Sequence, residues 1–123
     1  MPNIAFPLPP IVSPDQAPTA KTAAYPVVAA DMFKLFTNTG AGADTPFTLP
    51  DPSTVGGCSL KFAVTTANTI SVLPPSGGKI YLNGSGTADQ KVVIAAVVGN
   101  FADVFSDGSS WLVINYSGVL TKV

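Results

Sequence analysis

Prolines crowd the start of this chain: seven of the twelve (Pro2, Pro7, Pro9, Pro10, Pro14, Pro18 and Pro26) fall within the first 26 residues. Each fixes φ near about −65° and removes a backbone donor, so neither a regular helix nor a central strand suits that stretch. Polyproline II or another extended form does, and at roughly 3.1 Å per residue a straight arm of this length reaches about 80 Å. Between the prolines stand apolar side chains, Ile4, Phe6, Leu8, Ile11, Val12, Tyr25, Val27 and Val28, unlike the charged composition of a solvated tail. Such an arm is expected to lie against a partner, with Phe6, Leu8, Ile11, Val12 and Tyr25 as its anchors. Ala30–Phe36 fits either one helical turn opened by Asp31 or a short strand, and is read as a strand. The small polar run Thr37–Asp44 reads as a linker. The expected division is therefore an extended arm and linker over residues 1–44 and a compact body over 45–123.

After Thr45 short apolar runs alternate with clusters of Gly, Pro, Asn and Ser, the pattern of strands and turns. Cys58, Leu60, Phe62 and Val64 fall on one face, and Ser59, Lys61, Ala63 and Thr65 on the other, as a half-buried strand requires. Ile70 with Val72 and Ile80 with Leu82 repeat the pattern. Lys91–Val98, Lys-Val-Val-Ile-Ala-Ala-Val-Val, is an apolar run too short and too rich in β-branched residues for a helix, which predicts a strand buried on both faces. Phe101–Phe105, Trp111–Tyr116 and Val119–Val123 complete the set, with Ser106–Ser110 as the turn between the first two. These short strands predict an all-β fold, an antiparallel β-sandwich or barrel of jelly-roll type, carrying the proline-rich arm at its N-terminus.

Composition narrows the function. The 123 residues suffice for one domain, yet only 11 % are charged, against a usual share of about 25 %. Arginine, glutamate and histidine are absent, and the six lysines stand singly, so no basic patch for nucleic acid is legible. Without histidine neither a Ser-His-Asp nor a Cys-His arrangement forms within the chain. One cysteine, Cys58, supports neither an internal disulfide nor a thiolate zinc site, and it reads as a small apolar residue of a strand face. The carboxylates Asp103 with Asp107 and Asp44 with Asp51 are conceivable acid-base or calcium pairs; they read more simply as turn formers. Gly40-Ala41-Gly42 lacks the remainder of a dinucleotide fingerprint. No cofactor, metal or membrane partner is expected, since no apolar run nears the roughly 20 residues of a spanning helix. The beginning of the chain does not look like a secretory signal, so synthesis in a cytoplasm is expected. Trp111, Phe105 and Phe101 are expected to be fold or oligomer-interface residues.

Thr48-Leu49-Pro50-Asp51-Pro52, then Gly56-Gly57 and an alternating strand, and finally Val104-Phe105-Ser106-Asp107-Gly108-Ser109-Ser110-Trp111-Leu112-Val113-Ile114 resemble a β domain of bacteriophage tail fibres, head fibres and capsid decoration proteins. The likeness covers roughly Thr48 to Asn115. It implies a homotrimeric virion component without an enzymatic site. Joined to the arm, it leads to the expectation of a capsid decoration or cement protein that binds the major capsid protein through its arm and stabilises the shell. The alternative is a subunit of a short trimeric tail or head fibre, or an adaptor, that binds a host glycan. A small hydrolase using Asp103 or Asp107 is a third and separate class.

Overall fold

The computed structural model describes residues 17–123. In chain order its strands are β1 (Thr19–Ala20), β2 (Tyr25–Pro26), β3 (Leu35–Thr37), β4 (Thr45–Thr48), β5 (Ser59–Ala63), β6 (Ile70–Leu73), β7 (Ile80–Tyr81), β8 (Val92–Ile94), β9 (Phe101–Ser106), β10 (Trp111–Ser117) and β11 (Leu120–Lys122). Short 3-10 turns occupy Ala29–Asp31 and Pro52–Thr54. The first sheet has the order β1-β3-β5-β9-β10-β7 and the second β11-β8-β6-β4-β2. Both are mixed, and their shared core is compatible with a β-sandwich.

The first six strands alternate between the sheets. β1, β3 and β5 pair parallel in one, and β2, β4 and β6 pair parallel in the other. The chain thus winds as a short coil in which each turn lays one strand on each sheet. Inward side chains stack from turn to turn: Thr19, Phe36 and Phe62 are register partners on one side, and Tyr25, Phe47 and Val72 on the other. The two columns meet in the middle, where Phe47 lies with ring centroids 5.1 Å from Phe36 and 5.0 Å from Phe62. Each such ring pair adds about 0.5–1.5 kcal/mol beyond its buried area.

The later strands close the stack differently. β9 pairs antiparallel with β5 and β10, and β8 antiparallel with β6 and β11, while β7 adds a parallel edge to β10. Period-two alternation holds along β9, where Ala102, Val104 and Ser106 are buried and the residues between them are not. Trp111 is wholly buried, and its indole N–H donates to the Pro50 carbonyl at 2.9 Å. That bond satisfies the one polar atom of an otherwise apolar side chain.

Three expectations are corrected. The arrangement is not antiparallel and jelly-roll-like, because five of the nine ladders among the described residues are parallel; strand alternation in sequence reports which face is buried and carries no information on pairing direction. The boundary at residue 44 does not separate arm from body, since β1 to β3 belong to the sheets and Val27 and Phe36 to the core. The predicted doubly buried strand over 91–98 ends at Ile94: Val97 donates to Ala95 O and Asn100 to Val97 O as the chain turns, leaving Val97 and Val98 exposed. Ala30–Phe36 proves to be both things, a 3-10 turn followed by the start of β3.

Candidate assembly surface

The side chains of β3, β5, β9 and β10 that point away from the core make the outer face of the first sheet. Leu35, Ser59, Lys61, Ala63, Phe101, Asp103, Phe105 and Leu112 stand on it, all half-buried except Lys61, which is exposed. The register places Lys61 beside Asp103 and Phe105 beside Leu112. Ile114 follows inward-facing Val113 and points outward by ordinary alternation, 57 % exposed. It is the unpaired residue of a bulge between Val113 and Asn115, and the extra residue sets Asn115 beside outward-facing Asp103.

Along this face runs an open groove of about 380 Å³, lined among others by Phe33, Leu35, Lys61, Asp103 and Ile114. Phe33 is its most unusual member, with φ of 67° and a side chain 70 % exposed. A left-handed backbone costs a residue with a Cβ roughly 1–2 kcal/mol. The conformation is held by hydrogen bonds on either side, from Phe33 N–H to Ser59 O at 2.7 Å and from Lys61 N–H to Lys34 O at 3.1 Å. The fold therefore presents an apolar ring to solvent at a backbone position where glycine would be easier.

The polar members of the face are Lys61 and Asp103. Lys61 Nζ lies 3.7 Å from Asp103 Oδ1, attractive but too long for a hydrogen bond, and 5.5 Å from the centre of the Phe101 ring. Asp103 Oδ1 is buried and accepts no hydrogen bond from any described residue. A buried acceptor left without a donor costs about 1–3 kcal/mol.

Next to the groove, Asp31 anchors the approach to β3. It accepts from the Val28 N–H at 3.1 Å, the Tyr25 hydroxyl at 2.8 Å and the Lys34 ammonium at 3.0 Å. Burial opposes its charge, but the Val28 N–H, the Lys34 ammonium and the Tyr25 hydroxyl together hold its carboxyl below the usual carboxylate range. The same hydrogen bond to Asp31 is the main reason that the Tyr25 phenol is pushed up.

Of the residues expected to bind a partner, Phe6, Leu8, Ile11 and Val12 lie outside the described residues. Tyr25 does not stand on an arm: it pairs beside Phe47 in β2, and its ring packs 5.6 Å from Phe36 and 6.3 Å from Phe47. Trp111 is core, whereas Phe101 and Phe105 are on the outer face. The carboxylate pairs do not share a common environment. Asp107 accepts from the N–H groups of Ser109 and Ser110, which hold its carboxyl low. Asp51 does the same for Ser53, and Asp44 binds the hydroxyls of Thr69 and Ser71. Cys58 is half-buried against the core. Sequence reading does not single out Phe33 or Ile114. Phe33 is exposed on a left-handed backbone, which leaves no sign in the alternation of apolar and polar residues, whereas Ile114 lies on the outward side of the Trp111–Ile114 alternation.

Comparison with protein-family models gives no matching family, and comparison with curated proteins gives no matching relative.

Proposed function

We propose that this chain is a structural protein of a virus particle, a decoration or cement subunit that assembles as a trimer, adds to the capsid shell through its N-terminal segment and performs no catalysis. The observation that carries an assembly role is the outer face of the first sheet. There Phe33 and Ile114 are exposed beside half-buried Leu35, Phe101, Phe105 and Leu112, in a chain with only 11 % charged residues. Exposed apolar side chains gathered on one face, here on either side of the Lys61–Asp103 pair, suit an interaction site. The virion setting rests on the resemblance of the Thr48–Asn115 segment, and the adhesive role of the N-terminal segment on Phe6, Leu8, Ile11 and Val12 between its prolines. Three such segments on one trimer would multiply avidity for a repetitive lattice.

The test is the mass of the purified protein by light scattering, alone and with capsids that lack it. A trimer that adds to the shells is expected. A monomer, or a protein that leaves the shells bare, would remove the cement reading; binding to tails or to glycans instead would support a fibre or adaptor.

A further inference from the structure

At two exposed turns a glycine directly follows a residue whose side chain can cyclise onto it, Asn83-Gly84 and Asp107-Gly108, and the fold treats them differently. The chemistry is the same in both: the glycine main-chain nitrogen attacks the side-chain carbonyl carbon before it, unhindered because glycine has no Cβ. At Asp107-Gly108 both participants are tied. Gly108 N–H donates to Ser106 Oγ at 3.1 Å, and Asp107 Oδ1 accepts from the N–H groups of Ser109 and Ser110 at 2.8 and 2.7 Å. At Asn83-Gly84 the nucleophile is free. Gly84 N–H has no acceptor among the described residues, and the Asn83 side chain makes one bond, from Nδ2 to the Tyr116 hydroxyl at 3.1 Å. With φ of 51° and 83° the pair forms the primed turn for which Asn-Gly is favoured. Its closure is a single pair of 3.0 Å bonds exchanged by Leu82 and Ser85, beyond the edge strand β7, where local opening costs little. The other described asparagines, Asn38, Asn68, Asn100 and Asn115, precede Thr39, Thr69, Phe101 and Tyr116, whose side chains crowd the attacking nitrogen.

We propose that Asn83-Gly84 is a self-modification site at which the folded chain deamidates through a cyclic imide. Gly84 N gives its proton to water and bonds to Asn83 Cγ; the bond from Cγ to Nδ2 breaks, and ammonia leaves with a proton taken from water. A second water then opens the ring at either carbonyl. Cleavage of the new bond leaves aspartate, cleavage of the main-chain bond leaves isoaspartate, and neither route transfers electrons or needs a co-reactant other than water. The product has a ready counter-charge. Lys122 Nζ donates to the carbonyls of Ile80 at 2.7 Å and Ser85 at 3.2 Å and pairs with no carboxylate among the described residues, so a carboxylate two residues before Ser85 supplies what that ammonium lacks. Isoaspartate also lengthens the main chain by one atom, which a two-residue turn does not accommodate, and the bonds between Leu82 and Ser85 are lost with it. The proposal does not depend on the particle reading.

The experiment incubates the full folded chain in mildly alkaline buffer and follows peptide masses over time, with hydroxylamine in a parallel sample to trap the imide as a hydroxamate. Conversion at Asn83 is expected to be at least about tenfold faster than at Asn38, Asn68, Asn100 or Asn115, with the hydroxamate on the same peptide. Unfolding in urea should speed isomerisation at Asp107 by a factor at least about five times larger than it speeds deamidation at Asn83, since only the former turn loses bonds to its reacting atoms. Conversion at Asn83 no faster than at the other asparagines, absence of the hydroxamate, or an equal response of the two turns to urea would each overturn the proposal.

Discussion

From Thr19 to Leu73 each strand lies parallel to the one two places before it, whereas β8, β9 and β11 join their neighbours only by antiparallel ladders. The two regions need different fastenings. An antiparallel hairpin is closed by its turn, and between β9 and β10 the Asp107 carboxylate receiving Ser109 and Ser110 N–H is enough. Parallel strands have no such turn between them, because the chain must visit the other sheet and come back. Their loops are instead stitched by buried polar side chains. Asn38, wholly buried, accepts from the N–H groups of Thr65 and Thr66 and donates to the carbonyls of Thr66 and Asn68. One asparagine thus satisfies four main-chain groups of the next turn of the coil. Asp44, though exposed, adds a link of another kind by accepting from the hydroxyls of Thr69 and Ser71.

If the two regions form one cooperative unit, a defect in either should loosen both; if they do not, the parallel region should open first. Phe47→Ala is the strongest probe, removing the ring at the centre of the aromatic cluster. It is expected to cost about 3–5 kcal/mol, read from the urea midpoint. Hydrogen exchange on the same variant decides between the two cases, since amides of Val92–Ile94 that stay protected would show the regions to be separable. Asn38→Ala should follow at about 3 kcal/mol, because it strips partners from buried main-chain groups. Its signature is faster exchange at Thr65 and Thr66, and exchange rates there equal to those of the parent protein would refute the stitching role.

Asp31→Asn is expected to cost about 1–2 kcal/mol at neutral pH. The sign of its pH dependence follows from the lowered folded-state carboxyl. The stability from Asp31 is fully present above the ordinary value near about 3.9 and is lost as pH falls through the lower folded value. The gap between parent and variant should therefore close in acid, and a gap that widens there would contradict the hydrogen-bonding scheme. Smallest in effect on folding is Ile114→Lys, expected within about 0.5 kcal/mol of the parent because the side chain is exposed. A large loss of stability would mean that Ile114 belongs to the folding core and not to a docking face.

Legibility in the sequence also divides along this line. β5, β6, β9 and β10 follow from period-two alternation, and the Ser106–Ser110 turn from its residue types. β1, β2 and β4 are not legible, being two to four residues long, with Pro26 and Pro46 inside two of them, and only β3 overlaps a stretch that reads as strand, Ala30–Phe36. Local propensity argues against a strand at such positions, and the stacking of Tyr25 on Phe47 and Phe36 on Phe62 overrides it. The coil was hidden for a further reason: its register partners, Thr19, Phe36 and Phe62 on one side and Tyr25, Phe47 and Val72 on the other, are unequally spaced, so no repeat is visible. On the outer face, Phe101 and Phe105 stand half-buried in alternation with the buried Ala102, Val104 and Ser106, as a period-two strand requires. The rim of the groove at Phe33 depends on a left-handed backbone, a property of the folded chain with no signature in residue type.

A coil of parallel turns has no intrinsic end, and identical units stacked on its open rim would grow into a filament. Here the rim formed by β1 and β2 is two residues wide on each sheet, and Pro26 offers no N–H for a further ladder. Lys21 places its ammonium 4.0 Å above the Tyr25 ring, setting a charge over the last aromatic of the column. Short, proline-bearing and charged edges discourage the addition of strands from other molecules. A short edge with a proline and a covering charge thus limits the stacking of further turns on this side of the described coil, and leaves the broad face of the first sheet as the larger surface open to contact.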